Sequence, residues 1–139
     1  METIITYTSG ITRGNPGPAG VGVCVTKKSG ALIKEAKEAI GNADSNFAEY
    51  YGVMLGLQTL VHLYDKKTKE MRFEIRLNSE LVSGQLSGEE QIKEPGLVPM
   101  FIEIHNLKVA NFPNLFFTQI EKKENQEADR LADEVIDGR

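Results

Sequence analysis

Several features that would place this chain in common functional classes are missing from its 139 residues. Cys24 is its single cysteine, so disulfides and thiolate metal clusters are excluded and a reducing compartment is expected. No apolar run reaches the roughly 20 residues that a membrane-spanning helix needs. The first residues lack the basic and apolar pattern of a secretory signal. We therefore expect a cytoplasmic protein without a membrane partner.

Bulk positive charge is also lacking. The chain has 16 Lys and Arg against 20 Asp and Glu, a formal net charge of −4. Proteins that hold polyanions through bulk electrostatics are normally basic, so this chain would need a local basic strip to do so. An acidic balance suits a site that gathers carboxylates around divalent metal. The length predicts a single domain, residues 1–139, large enough for a real core. We expect this domain to be a monomer.

Hydrophobic periodicity predicts the elements of this domain. Alternation of apolar and polar residues predicts strands at residues 3–9, 21–26, 32–40, 73–78 and 115–120. Three- and four-residue spacing predicts helices at 47–64, 97–110 and 121–137, and a serine cap predicts a short helix at 79–86. Ser45 or Asn46 is the expected cap of the first helix. This order predicts an α/β fold: a five-stranded mixed sheet that begins with a three-strand meander and carries helices on both faces.

The stretch YTSGITRGNPGPAG, residues 7–20, contains the most specific pattern of the chain. Its segment 14–20 packs three glycines and two prolines into seven residues. Glycine permits close approach of another backbone and proline stiffens the remainder. A glycine and proline loop is most often a hairpin connection. The same rigid, exposed backbone beside a strand end is also a suitable platform for another polymer.

This stretch resembles the first strand and turn of type 1 ribonuclease H, where an aspartate–glycine pair on the strand is followed by a GNPG loop. The resemblance covers almost the entire chain and is strongest, in spacing, to the compact archaeal and bacterial form. Four positions match the metal-binding carboxylates of that family in order. They are Ser9, Glu49, Asn78 and Asp129. Flanking residues also match: Ala48, Ser79, Asn125, Ala128, Leu131 and Ala132.

Two of the four matched positions depart from the family. Hydrolysis of a phosphodiester by this family uses two Mg²⁺ ions, roughly 3.5–4 Å apart, held by hard oxygen ligands. Serine at position 9 is neutral and too short to bridge two ions, and Asn78 keeps the shape of aspartate without its charge. Glu49 and Asp129 remain as the catalytic and metal-binding carboxylates. The resemblance thus implies that paired Mg²⁺ binding is lost, or that one weakly held Mg²⁺ or Mn²⁺ ion supports residual activity.

The resemblance also implies contacts with nucleic acid. Residues matching family positions along the polymer or near the scissile phosphate are Gly14, Asn15, Asn46, Lys122 and Asn125. In a minor groove, 2′-hydroxyl groups identify RNA. As isolated residues, Asn15 and Asn46 are more often turn or cap residues.

Three functions are compatible with the sequence. The first is a Mg²⁺-dependent endonuclease, a hydrolase for the RNA strand of RNA–DNA hybrids, with residual activity. The second, which we favour, is a domain of the same fold that binds RNA–DNA hybrids or RNA at a degenerate active site. The third is a structural or protein-interaction domain without a nucleic-acid role. Retention of the glycine loop favours the second over the third, and the replaced carboxylates favour it over the first.

Overall fold

A computed structural model of the protein describes residues 2–139. Five strands form one sheet with the spatial order β3-β2-β1-β4-β5. The strands are β1 (Thr3–Thr12), β2 (Gly17–Lys27), β3 (Leu32–Ala43), β4 (Arg72–Leu77) and β5 (Leu115–Gln119). The helices are α1 (Ser45–Tyr64), α2 (Glu80–Leu86), α3 (Val98–Asn111) and α4 (Gln126–Ile136). Short 3-10 helices occupy Asp65–Glu70, Pro95–Leu97 and Lys122–Glu124.

The sheet is mixed, as predicted. β1, β2 and β3 pair antiparallel in sequence order, whereas β4 lies parallel to β1 and β5 lies parallel to β4. Parallel neighbours end at the same edge of a sheet, so residues that follow β4 and β5 lie beside the second half of β1. The predicted α/β class, the meander and the five strands are confirmed.

Helices cover both faces of the sheet. Gly56 of α1 lies against the methyl groups of Thr6 and Thr8, so even-numbered β1 residues face α1. Gly22, which pairs with Ser9, lies against the Ala128 carbonyl of α4 on the opposite face. The main core lies on the α1 face of the sheet. Its large buried side chains include Tyr50, Leu57, Leu60, Phe73, Ile75, Ile104 and Phe112. No helix in residues 2–139 has the length and apolarity needed to cross a bilayer.

The predicted seven-residue loop is wrong in extent. Most of it is strand, because the β1–β2 ladder continues to the pair Thr12 and Ala19, and the Arg13 N–H donates to the Pro18 carbonyl at 2.8 Å. Only residues 13–16 form the connection. β1 accordingly runs three residues beyond Ser9, which lies inside the strand and does not end it. Glycine and proline mark turns statistically, but the ladder bonds available on both sides decide where pairing stops.

Two helix starts also differ from expectation. The cap of α1 is Asp44, whose carboxylate accepts the Phe47 N–H at 2.8 Å, so neither Ser45 nor Asn46 caps it. The final predicted helix is divided, because Asn125 adopts φ −113° and ψ 27° between the 3-10 helix Lys122–Glu124 and α4. The serine cap of the short helix is confirmed, since Ser79 accepts the Val82 N–H at 3.1 Å.

Candidate active site

Ser9 lies near the centre of the sheet with its side chain on the α4 face. It is 1% exposed, and its hydroxyl donates a hydrogen bond to Oδ1 of Asp129. α4 packs closely against the sheet beside Ser9. Gly22, which pairs with Ser9, could not carry a side chain, because its Cβ would overlap the Ala128 carbonyl. Ser9 is thereby committed to Asp129, and its hydroxyl hydrogen is not free for another acceptor.

Glu49 reaches the same region from α1. A Cβ at Gly10 would overlap the Ala48 carbonyl, so glycine is required for the helix to approach β1 this closely. The Gly10 N–H donates to Oε1 of Glu49 at 3.0 Å, whereas Oε2 is buried without a hydrogen-bond partner in the described residues. Burial raises the Glu49 pKa from 4.5 to about 7; the Asp129 charge adds to the rise, and the Gly10 N–H and Lys122 oppose it.

Asn78 directly follows β4 and is held by Asn125. The Asn125 side-chain nitrogen donates to the Thr8 carbonyl and to Oδ1 of Asn78, both at 2.8 Å. Asn125 is 1% exposed, and its own Oδ1 is buried without a partner in the described residues. This side chain therefore ties the start of α4 to β1 and to the end of β4.

Asp129 occupies the first turn of α4, as predicted. Besides the Ser9 hydroxyl on Oδ1, it accepts the Lys122 ammonium on Oδ2 at 3.1 Å. Its side chain is 16% exposed, and that of Lys122 is 74% exposed. Both carboxylate oxygens of Asp129 are consequently in use by other side chains.

These contacts bring the matched positions together where β4 ends beside the second half of β1. Ser9 is hydrogen-bonded directly to Asp129. Glu49 accepts the N–H of Gly10, which follows Ser9. Asn125 links Asn78 to Thr8, which precedes Ser9. Four segments that are far apart in the sequence thus meet in the folded chain. The sequence does not predict the linking role of Asn125, because no local pattern indicates which backbone carbonyl an asparagine side chain will contact.

The donor set does not fit a pair of Mg²⁺ ions. Magnesium needs oxygen lone pairs in nearly octahedral geometry, and two ions need several shared carboxylates. Asn78 Oδ1, Glu49 Oε1 and both oxygens of Asp129 already accept hydrogen bonds. Glu49 Oε2 is the carboxylate oxygen left unpartnered. Within residues 2–139 no group of three or more His, Cys, Asp or Glu side chains is arranged to hold a metal ion.

The residues expected to contact nucleic acid lie in three settings. Gly14 occupies the β1–β2 connection at φ +94°, and the side-chain oxygen of Asn15 accepts the Ser45 N–H at 2.9 Å. Asn46 donates to Glu94 at 2.9 Å. Lys122 is exposed beside Asp129, and Asn125 is buried. Asn15 therefore fixes the turn against α1, and Asn125 faces the protein interior.

The architecture defines the class of domain. A five-stranded mixed sheet in the order β3-β2-β1-β4-β5, with helices on both faces, is the ribonuclease H-like fold. Residues 7–135 match the family described as Reverse transcriptase-like. The chain belongs to that family and is an RNase H-type domain.

Individual relatives agree with this assignment. The chain is 34% identical over 138 residues to a protein of Mycobacterium tuberculosis named Bifunctional protein Rv2228c, covering 99% of this chain and 36% of that protein. It is 32% identical over 132 residues to Ribonuclease HI of Halobacterium salinarum, covering 94% of this chain and 63% of the relative. It thus spans about a third of the first relative and under two thirds of the second. The structure of LC11-RNase H1 in complex with RNA/DNA hybrid superposes with a TM-score of 0.93 at 41% identity, covering 97% of each chain.

Proposed function

We propose that this RNase H-type domain binds RNA–DNA hybrids and that its cleavage of the RNA strand is strongly impaired or lost. The observation that carries the proposal is the pair of neutral side chains at the candidate site. Ser9 and Asn78 stand where a metal-dependent nuclease needs negative charge. Ser9 is hydrogen-bonded to Asp129, and Asn78 is hydrogen-bonded to Asn125. The family generally uses divalent metals. This site offers such ions two carboxylates, one of them paired with Lys122.

Binding is supported by the retained connection between β1 and β2. Gly14 and Asn15 keep a defined backbone conformation there, because Asn15 is bonded to the first residue of α1. The protein LC11-RNase H1, which has the same fold, is described in complex with RNA/DNA hybrid. Two alternatives remain distinct: weak ribonuclease activity through one ion held by Glu49 and Asp129, and a structural domain that binds no nucleic acid.

A competition titration tests the binding half of the proposal. Labelled RNA–DNA hybrid and duplex DNA of the same sequence are offered to the chain at low and at physiological salt. We expect preference for the hybrid and a steep loss of affinity with salt, since phosphate contacts supply most of the affinity and 2′-hydroxyls identify RNA. Equal affinity for the two duplexes would contradict hybrid recognition, and no binding to either would favour the structural alternative.

A cleavage assay tests the catalytic half. The same labelled hybrid is incubated with excess protein in Mg²⁺ and, separately, in Mn²⁺. We expect no cleavage above a metal-free control containing chelator. Metal-dependent cutting of the RNA strand that disappears in Glu49→Gln would instead establish the residual-activity alternative.

A further inference from the structure

The orientation of the Asn125 carboxamide is fixed by its neighbours. Its Nδ2 lies 2.8 Å from the Thr8 backbone carbonyl, a group that only accepts hydrogen bonds. The atom facing Thr8 must therefore be the NH₂ group. Because Asn125 is 1% exposed, solvent offers no competing partner for the opposite orientation. The second hydrogen of the same NH₂ group points to the Asn78 side chain, also 2.8 Å away.

This arrangement fixes Asn78 in turn. The atom that receives the second Asn125 hydrogen must be an acceptor, so it is Oδ1 of Asn78. The Asn78 NH₂ group is then directed away from Asn125. Asn78 is only half-buried, and its Nδ2 is not among the buried polar atoms without partners in the described residues. Position 78 thus presents a hydrogen-bond donor at the carboxyl edge of the sheet, where an aspartate would present lone pairs.

We propose that the Asn78 NH₂ group donates to a non-bridging phosphate oxygen of the bound hybrid, and that Asn125 is the positioning residue that turns it outward. This inference rests on the proposed hybrid binding and adds to it a metal-free contact at the former cation site. A phosphate oxygen accepts hydrogen bonds. The NH₂ group of an asparagine can donate to it, whereas an ionised carboxylate only accepts and needs a metal ion between itself and the phosphate. Lys122, exposed beside Asp129, adds a second donor of the kind that phosphate prefers.

Hybrid binding in chelator tests the contact at position 78. Asn78→Ala removes the donor, and Asn78→Asp replaces it with an acceptor that still receives the Asn125 bond. We expect Asn78→Ala to bind roughly tenfold more weakly, the size usual for a hydrogen bond to a charged group, and Asn78→Asp to bind at least as weakly. The matched controls Asn106→Ala and Asn106→Asp, on the exposed side of α3, should bind like the parent.

The positioning role of Asn125 needs a readout that a purely structural role would not change. In ¹⁵N spectra of the parent chain, hybrid should shift the Asn78 side-chain NH₂ signals and leave those of Asn106 unmoved. In a double-mutant cycle on hybrid affinity, Asn125→Ala should weaken the parent but not weaken Asn78→Ala further. Additive losses would show that Asn125 affects hybrid affinity independently of Asn78 and would overturn the positioning role. Melts of each variant measure stability separately.

The outcomes separate the two proposals. If the parent prefers the hybrid but Asn78→Ala binds it equally well, or if the Asn78 NH₂ signals stay unmoved, the phosphate contact is overturned and hybrid binding stands. If Asn125→Ala does not fold, the Asn78 variants and the parent spectra still decide the contact. If the parent binds no hybrid, both proposals fail.

Discussion

We call Glu49 and Asp129 the retained half of the candidate site and Ser9 and Asn78 the replaced half, after the proposal that family carboxylates are kept at the first two positions and lost at the other two. In the retained half, Glu49 is buried with one oxygen unpartnered and its pKa raised to about 7. In the replaced half, Ser9 and Asn78 are neutral and each makes a hydrogen bond with a neighbour across the site. Crowded carboxylates repel one another and depend on cations to stay together. Under the proposed function, the hydrogen bonds of Ser9 and Asn78 take the place of the cations that a cluster of four carboxylates would need.

Asp129 shows how the two halves interact. It is one of the retained carboxylates, yet it serves as the acceptor for Ser9 and for Lys122. Aspartate at position 9 could not donate that first bond, because an ionised carboxylate only accepts. A residue of the replaced half, Ser9, thus occupies one oxygen of a carboxylate in the retained half, Asp129. Restoring the lost charges should therefore change both the chemistry and the stability of the site.

The largest expected effect comes from restoring both carboxylates. The variant Ser9→Asp/Asn78→Asp should cleave the RNA strand of a labelled hybrid in Mg²⁺ at least roughly a hundredfold faster than the parent, since losing even one transition-state contact commonly costs this much. Adding Glu49→Gln to the restored variant is the control and should remove the gain. A restored variant as inactive as the parent would show that positions 9 and 78 do not limit cleavage.

The buried carboxyl of Glu49 predicts a pH dependence of stability. Its pKa is about 7 in the folded chain against an ordinary 4.5, so the folded state holds the proton more tightly. This contribution is full below about pH 4.5 and is lost as the pH rises through about 7. The loss is at most about 3 kcal/mol, at 1.36 kcal/mol per unit. Urea unfolding of the parent and of Glu49→Gln across this pH range measures the loss. If the free energy of unfolding changed with pH in the same way in both proteins, the contribution of Glu49 would be contradicted.

Magnesium should distinguish the restored site from the present one by stability alone. In chelator, the parent should melt at a higher temperature than Ser9→Asp/Asn78→Asp, because four carboxylates repel. Millimolar Mg²⁺ should narrow or reverse the gap, since a ligand at a hundred times its Kd stabilises the folded state by about 2.7 kcal/mol. Thermal melts of both proteins with chelator and with Mg²⁺ provide the measurement. A Mg²⁺-induced rise in melting temperature as large in the parent as in Ser9→Asp/Asn78→Asp would contradict the proposed loss of paired Mg²⁺ binding.

The smallest expected effect concerns the two adjacent lysines. Lys122 pairs with Asp129 at the site, whereas Lys123 pairs with Glu121 beside it, and both side chains are largely exposed. Lys122→Met should weaken hybrid binding a few-fold more than the matched Lys123→Met. Stability should fall by less than about 1 kcal/mol in either variant, the usual worth of an exposed ion pair. Titrations and melts of the two variants side by side make the test, and equal losses of hybrid affinity would argue against a special role for Lys122.

Much of the fold was determined by the sequence itself. Alternating and helical periodicity placed all five strands and the main helices, because burial of one face is written locally into the side-chain pattern. The Ser79 cap was predictable for the same reason, since a cap bonds a residue three positions away. The four candidate site positions were likewise predictable as a resemblance, because the residues that flank them match the family pattern.

Tertiary structure alone decided the state of those positions. Ser9 meets an acceptor 120 residues away, and Asn125 meets a carbonyl 117 residues away. Neither periodicity nor spacing encodes such partners, because they depend on how the sheet pairs and how closely the helices pack on it. The raised pKa of Glu49 has the same origin, for burial of a carboxyl is a property of everything folded around it. The identity of each group is local, whereas its hydrogen-bond partner and its solvation are set by the assembled chain.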